Sequence, residues 1–160
     1  MAECDVLVLG EYFCDLIFTG LPEPPRLGAD LFSQGFAMAP GGSGFILTTA
    51  LHRLGVQARW LAQFGDDLFS QFVLNEARRA GLDSRLFQVY AQPLRSLSVS
   101  FSFTHDRGFI SYWDSFPECH PEAVIAEMQP CWVVNPPFRG AEDCQALIEL
   151  THQYGGRVFV

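Results

Sequence analysis

A glycine-rich turn stands directly in front of an apolar helical pattern: Pro40-Gly41-Gly42-Ser43-Gly44 runs into Phe45-Ile46-Leu47-Thr48-Thr49-Ala50-Leu51-His52-Arg53-Leu54-Gly55. Glycine accepts backbone conformations and close approaches that a Cβ forbids. At a helix start it lets a ligand reach the main chain, where N–H groups without helical partners and the positive end of the helix dipole face outward. A hydroxyl-rich or anionic small molecule suits such a place. A strand predicted over 58–64 follows and ends at Gly65-Asp66-Asp67. The chain is therefore expected to be α/β, with its ligand chemistry gathered around this turn.

Elsewhere, Val6-Leu7-Val8-Leu9 before Gly10 is a continuous apolar run, as expected of a strand buried on both faces. The spacing predicts extended chain over 16–19, a proline-rich turn at Leu21-Pro22-Glu23-Pro24-Pro25 and a further strand over 31–38. It predicts helices over 44–54 and 67–80, the second closed by Gly81. That second helix is expected to bury Leu68, Phe69, Phe72 and Val73 and to expose Arg78 and Arg79. Residues 97–104 alternate apolar and hydroxyl side chains, the period-two mark of a sheet with one wet face. His105-Asp106-Arg107-Gly108 turns the chain back through 109–113, which makes a hairpin. A helix over 121–128, a strand over 131–135, a turn at Pro136-Pro137, a helix over about 141–154 and a last apolar strand form a crossover unit of a parallel sheet. The last residue falls inside that strand, so the chain is read as a fragment of a larger domain.

Composition removes several chemistries. All ten basic residues are arginine, so no P-loop, Schiff-base or protein-kinase lysine exists here. A net charge of −8 disfavours nucleic acid or an anionic membrane as partner. Five cysteines show no C-x-x-C spacing and four histidines are equally scattered, so no metal site is expected, and reduced core thiols are the reading. The first residues carry acid where a signal peptide carries base, and no apolar run could span a membrane, which points to the cytoplasm.

The order Gly41-Gly42-Ser43-Gly44, helix to Arg53-Leu54-Gly55, then Gly65-Asp66-Asp67 resembles the first signature of the ribokinase-like (PfkB) carbohydrate kinases. Val6–Gly10 followed by Asp15-Leu16 is similar to that family's opening strand and substrate aspartate, and Arg79-Ala80-Gly81-Leu82-Asp83 to its second helix end. The resemblance implies a three-layer α/β core with a parallel sheet, here partial, and a small β-sheet lid. Residues 1–160 would be the N-terminal part of one domain, with lid strands at about 16–38 and 97–113 and the nucleotide-binding part absent. It further implies transfer of the ATP γ-phosphate, with Mg2+, to a sugar or nucleoside hydroxyl, and a homodimer through the lid. The family's catalytic base, an aspartate in a Gly-Ala-Gly-Asp motif, has no counterpart here, so no catalytic residue is assigned and the fragment alone is expected to be inactive.

By resemblance Asp15 would accept hydrogen bonds from two substrate hydroxyls, and Gly41 and Gly42 would let the sugar approach the backbone. Asn135 would be a polar residue on the substrate side. Three positions depart from the pattern: Phe13 and Ile46 stand where polar sugar contacts are usual, and Ser43 replaces a longer polar residue. Each hydroxyl left unpaired costs about 1–3 kcal/mol, which argues against ribose. An acceptor with an apolar or aromatic portion, such as a nucleoside, or a smaller modified sugar fits Phe13, Phe45 and Ile46 better. Facing of these side chains into the core is the alternative.

Two other readings stay open. A non-catalytic ligand-binding or β-clasp dimerisation module would use the alternating face of 97–104. A dinucleotide-binding oxidoreductase would use Gly42 and Gly44 with Asp66 or Asp67 on a ribose, although Leu47 occupies the third glycine position.

Overall fold

The computed structural model describes residues 4–134 and 141–160. Strands β1 (Val6–Val8), β4 (Ala58–Trp60), β9 (Trp132–Val134) and β10 (Arg157–Phe159) form a parallel sheet in the order β10-β9-β1-β4. β1 is buried along its whole length, as its unbroken apolar run requires. Val6 and Val8 join Trp60, Phe64, Val73 and Leu74 in one core cluster. Leu7 and Leu9 join Leu61, Ile125, Val133 and Leu147 in the other. Helices α1 (Ser43–Arg53) and α2 (Leu68–Arg79) supply the first layer, and α3 (Glu122–Met128) and α4 (Ala141–Gln153) the second. The three-layer α/β arrangement follows.

The strand expected over 58–64 is two. β4 pairs with β1, and after Leu61 the chain continues as β5 (Ala62–Phe64), which pairs in parallel with β6 (Phe87–Val89). The Leu61 amide still donates to the Val8 carbonyl and the Ala62 amide to that of Leu86, so the chain changes partner at Leu61, and β5 and β6 make a two-stranded sheet of their own.

A second sheet has the order β3-β2-β7-β8, from β2 (Phe13–Thr19), β3 (Gly35–Gly41), β7 (Ser96–Ser102) and β8 (Arg107–Trp113). The hairpin falls where the alternation placed it. The expected strand over 31–38 does not: residues 31–34 are outside it, and β3 runs on through Pro40 into Gly41. Its register on β2, from Phe13↔Gly41 to Thr19↔Gly35, carries it into the glycine turn. α1 starts at Ser43 and α2 closes with Gly81 at φ +77°. Leu68 is 71% exposed, not buried; as the first residue of α2 it faces away from the stripe of Ser70, Val73, Leu74 and Ala77 that meets the sheet.

Candidate functional site

Asp15 lies midway along β2, level with Ala39 on one neighbour and Ser98 on the other. Its carboxylate folds back over Gly41, where any Cβ would run into Oδ2. It is half-buried, and among the described residues it has no hydrogen-bond or ion-pair partner. Desolvation by burial raises its carboxyl above the ordinary carboxylate value. An unpaired, partly dehydrated carboxylate is costly to the fold, and it holds open acceptor sites for ligand hydroxyls.

The glycine turn has a different job from the one its sequence suggests. Gly42 caps α1 at φ +86°, and a Cβ there would sit 2.7 Å from the Glu11 carbonyl and the Phe13 amide. A Cβ on Gly44 would strike the Gly10 carbonyl and the Trp60 indole. Trp60 Nε1 donates to the Gly10 carbonyl at 2.7 Å, and the Gly44 amide donates to the Glu11 carbonyl at 2.9 Å. The expectation that the turn leaves its amides free is corrected at Gly44, whose N–H is consumed by the chain. Gly42 and Gly44 are glycines because the β1–β2 connection lies against the helix start; Gly41 is the one that makes room for Asp15.

The structure thus brings Phe13, Asp15, Gly41 and Gly42 together. Ser43 and Ile46 follow on the first turn of α1, both exposed, Ile46 at 61%. The core-facing alternative fails for Ile46 and holds for Phe45, which packs edge-on to Trp60. Phe13 is partly buried. Asn135 lies outside the described residues.

Asp67 is the reverse of Asp15. Its Oδ1 accepts from the Phe69 and Ser70 amides at 3.0 Å each, capping α2, and its Oδ2 accepts from the Leu94 amide at 3.0 Å and the Ser70 hydroxyl at 2.6 Å. The Tyr12 hydroxyl donates to the Leu94 carbonyl and lies 2.6 Å from that of Ser70. Burial would raise the Asp67 carboxyl, but the Ser70 hydroxyl and the three amides outweigh it and hold it below the ordinary value. With four donors already engaged, Asp67 is not placed to take a ribose. The signal for this network was the Asp67-x-x-Ser70 spacing, read only as a helix start; its link to Tyr12 and Leu94 is purely tertiary.

At the end of the lid that joins the core, the Arg95 side chain and amide hold the Asp114 carboxyl down at about 2, and Tyr112 donates to it at 2.8 Å. Burial pushes the Cys4 and Cys14 thiols up to about 11. Cys4, Cys14 and Cys131 are free thiols; Cys131 is exposed, so it is not the core thiol expected. Among the described residues no cluster of three or more His, Cys, Asp or Glu could hold a metal ion, and no helix is long and apolar enough to cross a membrane.

Residues 5–116 match the pfkB family carbohydrate kinase, and the chain belongs to that family. Among curated proteins it is 30% identical over 78 residues to a ribokinase of Bacillus subtilis (strain 168), covering 49% of this chain and 26% of that protein. It is 31% identical over 86 residues to a probable fructokinase-5 of Arabidopsis thaliana, covering 52% of this chain and 25% of that one. Among solved structures, an Arabidopsis thaliana ribokinase complexed with ribose and ATP superposes with a TM-score of 0.79 at 15% identity, over 99% of this chain and 53% of its own. A ribokinase of Cryptococcus neoformans in complex with ADP gives 0.63 at 20% identity, over 82% and 41%. The matched stretches are about a quarter of these curated relatives, and the chain covers about half of the solved structures. The described residues do not by themselves fit a Mg2+·ATP site: they offer no acidic cluster, and the glycine-flanked helix start is filled by the chain's own Gly10 and Trp60.

Proposed function

We propose that this chain is the acceptor-binding half of a kinase that phosphorylates a hydroxyl of a sugar or nucleoside with ATP and Mg2+. The observation that carries the reading is Asp15, a half-buried carboxylate with no partner, held over Gly41 at the glycine turn. In this role its two oxygens accept hydrogen bonds from two acceptor hydroxyls and fix the ring for in-line attack. Charge-assisted bonds of that kind give orientation as well as affinity. Phe13 and Ile46 restrict the pocket to acceptors with an apolar portion, and Gly41, Gly42 and Ser43 border it. The ATP site, the Mg2+ and the base belong to residues beyond those that form this pocket. Residues 1–160 are then the N-terminal part of one domain and are inactive alone. The free thiols of Cys4, Cys14 and Cys131 fit a cytoplasmic enzyme, and the charge of −8 a small-molecule partner rather than nucleic acid or membrane.

Titration calorimetry of the chain with a panel of pentoses, hexoses and nucleosides tests the reading. Binding that is lost in Asp15→Asn is expected; equal binding by the variant overturns it.

A homodimer through the lid is favoured by one observation. On the side of the sheet opposite Asp15, the register aligns Phe36, Phe18 and Phe101, then Met38, Leu16, Val99 and Ile110, with Phe36 and Ile110 well exposed. Light scattering should find a dimer that Ile110→Asp converts to monomer.

A further inference from the structure

The inference here rests on the acceptor reading and concerns what the acceptor carries beyond the hydroxyls at Asp15. The lid registers Asp15↔Ser98 and Ser98↔Ser111 put these three side chains in one row on one face of the sheet. The Ser111 hydroxyl lies 3.4 Å from that of Ser98. Two strand spacings, about 10 Å, separate Asp15 from Ser111, more than a single pentose spans. Side chains alternate across a strand, so Phe109 and Trp113 share the face of Ser111, two residues to either side of it.

The two aromatics differ. Phe109 already carries the Arg107 guanidinium at 5.2 Å from its ring centre. Trp113 is 64% exposed, and among the described residues its indole has no ring, cation or hydrogen-bond partner. Its backbone is nevertheless fixed. Trp113 pairs with Ser96, and the following Asp114 amide donates to the Arg95 carbonyl at 2.8 Å while its carboxylate takes the Arg95 amide at 2.8 Å. A bare indole on a rigid mount, two residues along β8 from Ser111, where the polar row that begins at Asp15 ends, is a platform for a flat ring. A second copy seated on the opposite apolar face would not cover it, because Trp113 lies on the Asp15 side.

We propose that the acceptor is of the nucleoside class: a pentose whose hydroxyls meet Asp15, joined to an aromatic heterocycle that stacks on Trp113, with Ser98 and Ser111 reading polar atoms between them. Trp113 is then the residue that separates nucleosides from free sugars.

The test is titration of the full chain with adenosine, uridine, ribose and maltose, followed by calorimetry and by indole emission in a Trp132→Phe background. Nucleosides are expected to quench the emission and to bind at least roughly ten-fold more tightly than ribose. Trp113→Ala should weaken nucleoside binding by roughly five- to a hundred-fold and Trp113→Phe by much less, the range of one base–aromatic stack. Ribose should lose little in either. Unchanged nucleoside affinity in Trp113→Ala overturns the proposal, as does Trp113-dependent binding of maltose without nucleosides. Asp15→Asn separates this from the acceptor reading: loss of both ribose and nucleosides there with no effect at Trp113 leaves the reading standing and removes the stack. Nucleoside binding that depends on Trp113 and not on Asp15 removes the reading and keeps the stack. No binding by any of the four overturns both.

Discussion

Asp15 and Asp67 flank the same corner of the molecule, each beside a glycine and each partly buried, and their surroundings pull them in opposite directions. Asp67 has four donors on its two oxygens, ties α2 to the approach to β7, and titrates below the ordinary carboxylate value. Asp15 has none, and burial alone lifts it. A satisfied carboxylate is part of the scaffold, and its energy is already spent on folding. An unsatisfied one in the same setting is reserved for something that arrives later.

The largest test of that contrast removes Asp15. Hydrogen bonds to a charged group contribute about 1.5–3 kcal/mol each, so Asp15→Ala should weaken acceptor binding by about a hundred-fold or more while the melting temperature holds or rises. Asp67→Ala should do the converse. Loss of the cap costs about 1 kcal/mol, and leaving the Leu94 amide unpaired adds about 1–2 kcal/mol. Chemical denaturation should therefore read a loss of about 2–3 kcal/mol, with acceptor affinity little altered in the molecules that remain folded. If both variants lose stability equally, the two carboxylates are both structural and the contrast collapses.

The glycines sharpen it further. Gly41→Ala places a methyl against the Asp15 carboxylate, which is the free end of a side chain and can swing away. Fold stability should fall by less than about 1 kcal/mol while acceptor affinity falls roughly ten-fold. Gly44→Ala puts the methyl against backbone at Gly10 and the packed Trp60 ring, neither of which can yield, so its cost should appear in denaturation instead. Paired calorimetry and denaturation curves on the two variants separate a glycine that seats a functional group from one that packs a helix.

Local chemistry was legible in the sequence, and partnership was not. The apolar run at Val6–Leu9 and the Gly81 closure depend on neighbours within a few residues, and each stands where it was expected. β3 was misplaced because the apolar residues of 31–34 carry no mark of which side β2 will pair; register on β2 decides that. β6 escaped because three residues, Phe87, Gln88 and Val89, show no period of their own and become a strand only by pairing with β5. The glycine turn shows the same limit at the site. Gly41, Gly42 and Gly44 all announce close approach, and the residues cannot say whether the visitor is a ligand, the Asp15 side chain or the chain's own backbone. Trp113 was readable as strand, but the face it occupies is fixed by pairing with Ser96.

The smallest expected effect is in the pH dependence, and there the two aspartates must differ in sign. Asp67 titrates lower in the folded chain than in the unfolded one, so its stabilisation is complete above the ordinary value of 3.8 and is lost as the pH falls through the lowered folded value. Asp15 titrates higher when folded, so the folded chain binds its proton more readily, and a penalty grows as the pH rises from 3.8 through the raised value and then levels off. Asp15→Asn should accordingly match the parent in acid and melt roughly one to three degrees higher at neutral pH, whereas Asp67→Asn should fall furthest below the parent at neutral pH and approach it in acid. Acceptor binding should follow the ionised form of Asp15 and weaken on acidification with a midpoint above 3.8. Thermal melts of the three proteins across that range check the sign. A parent that outlasts Asp15→Asn at neutral pH would mean that Asp15 has a partner in solution and is not held for a ligand.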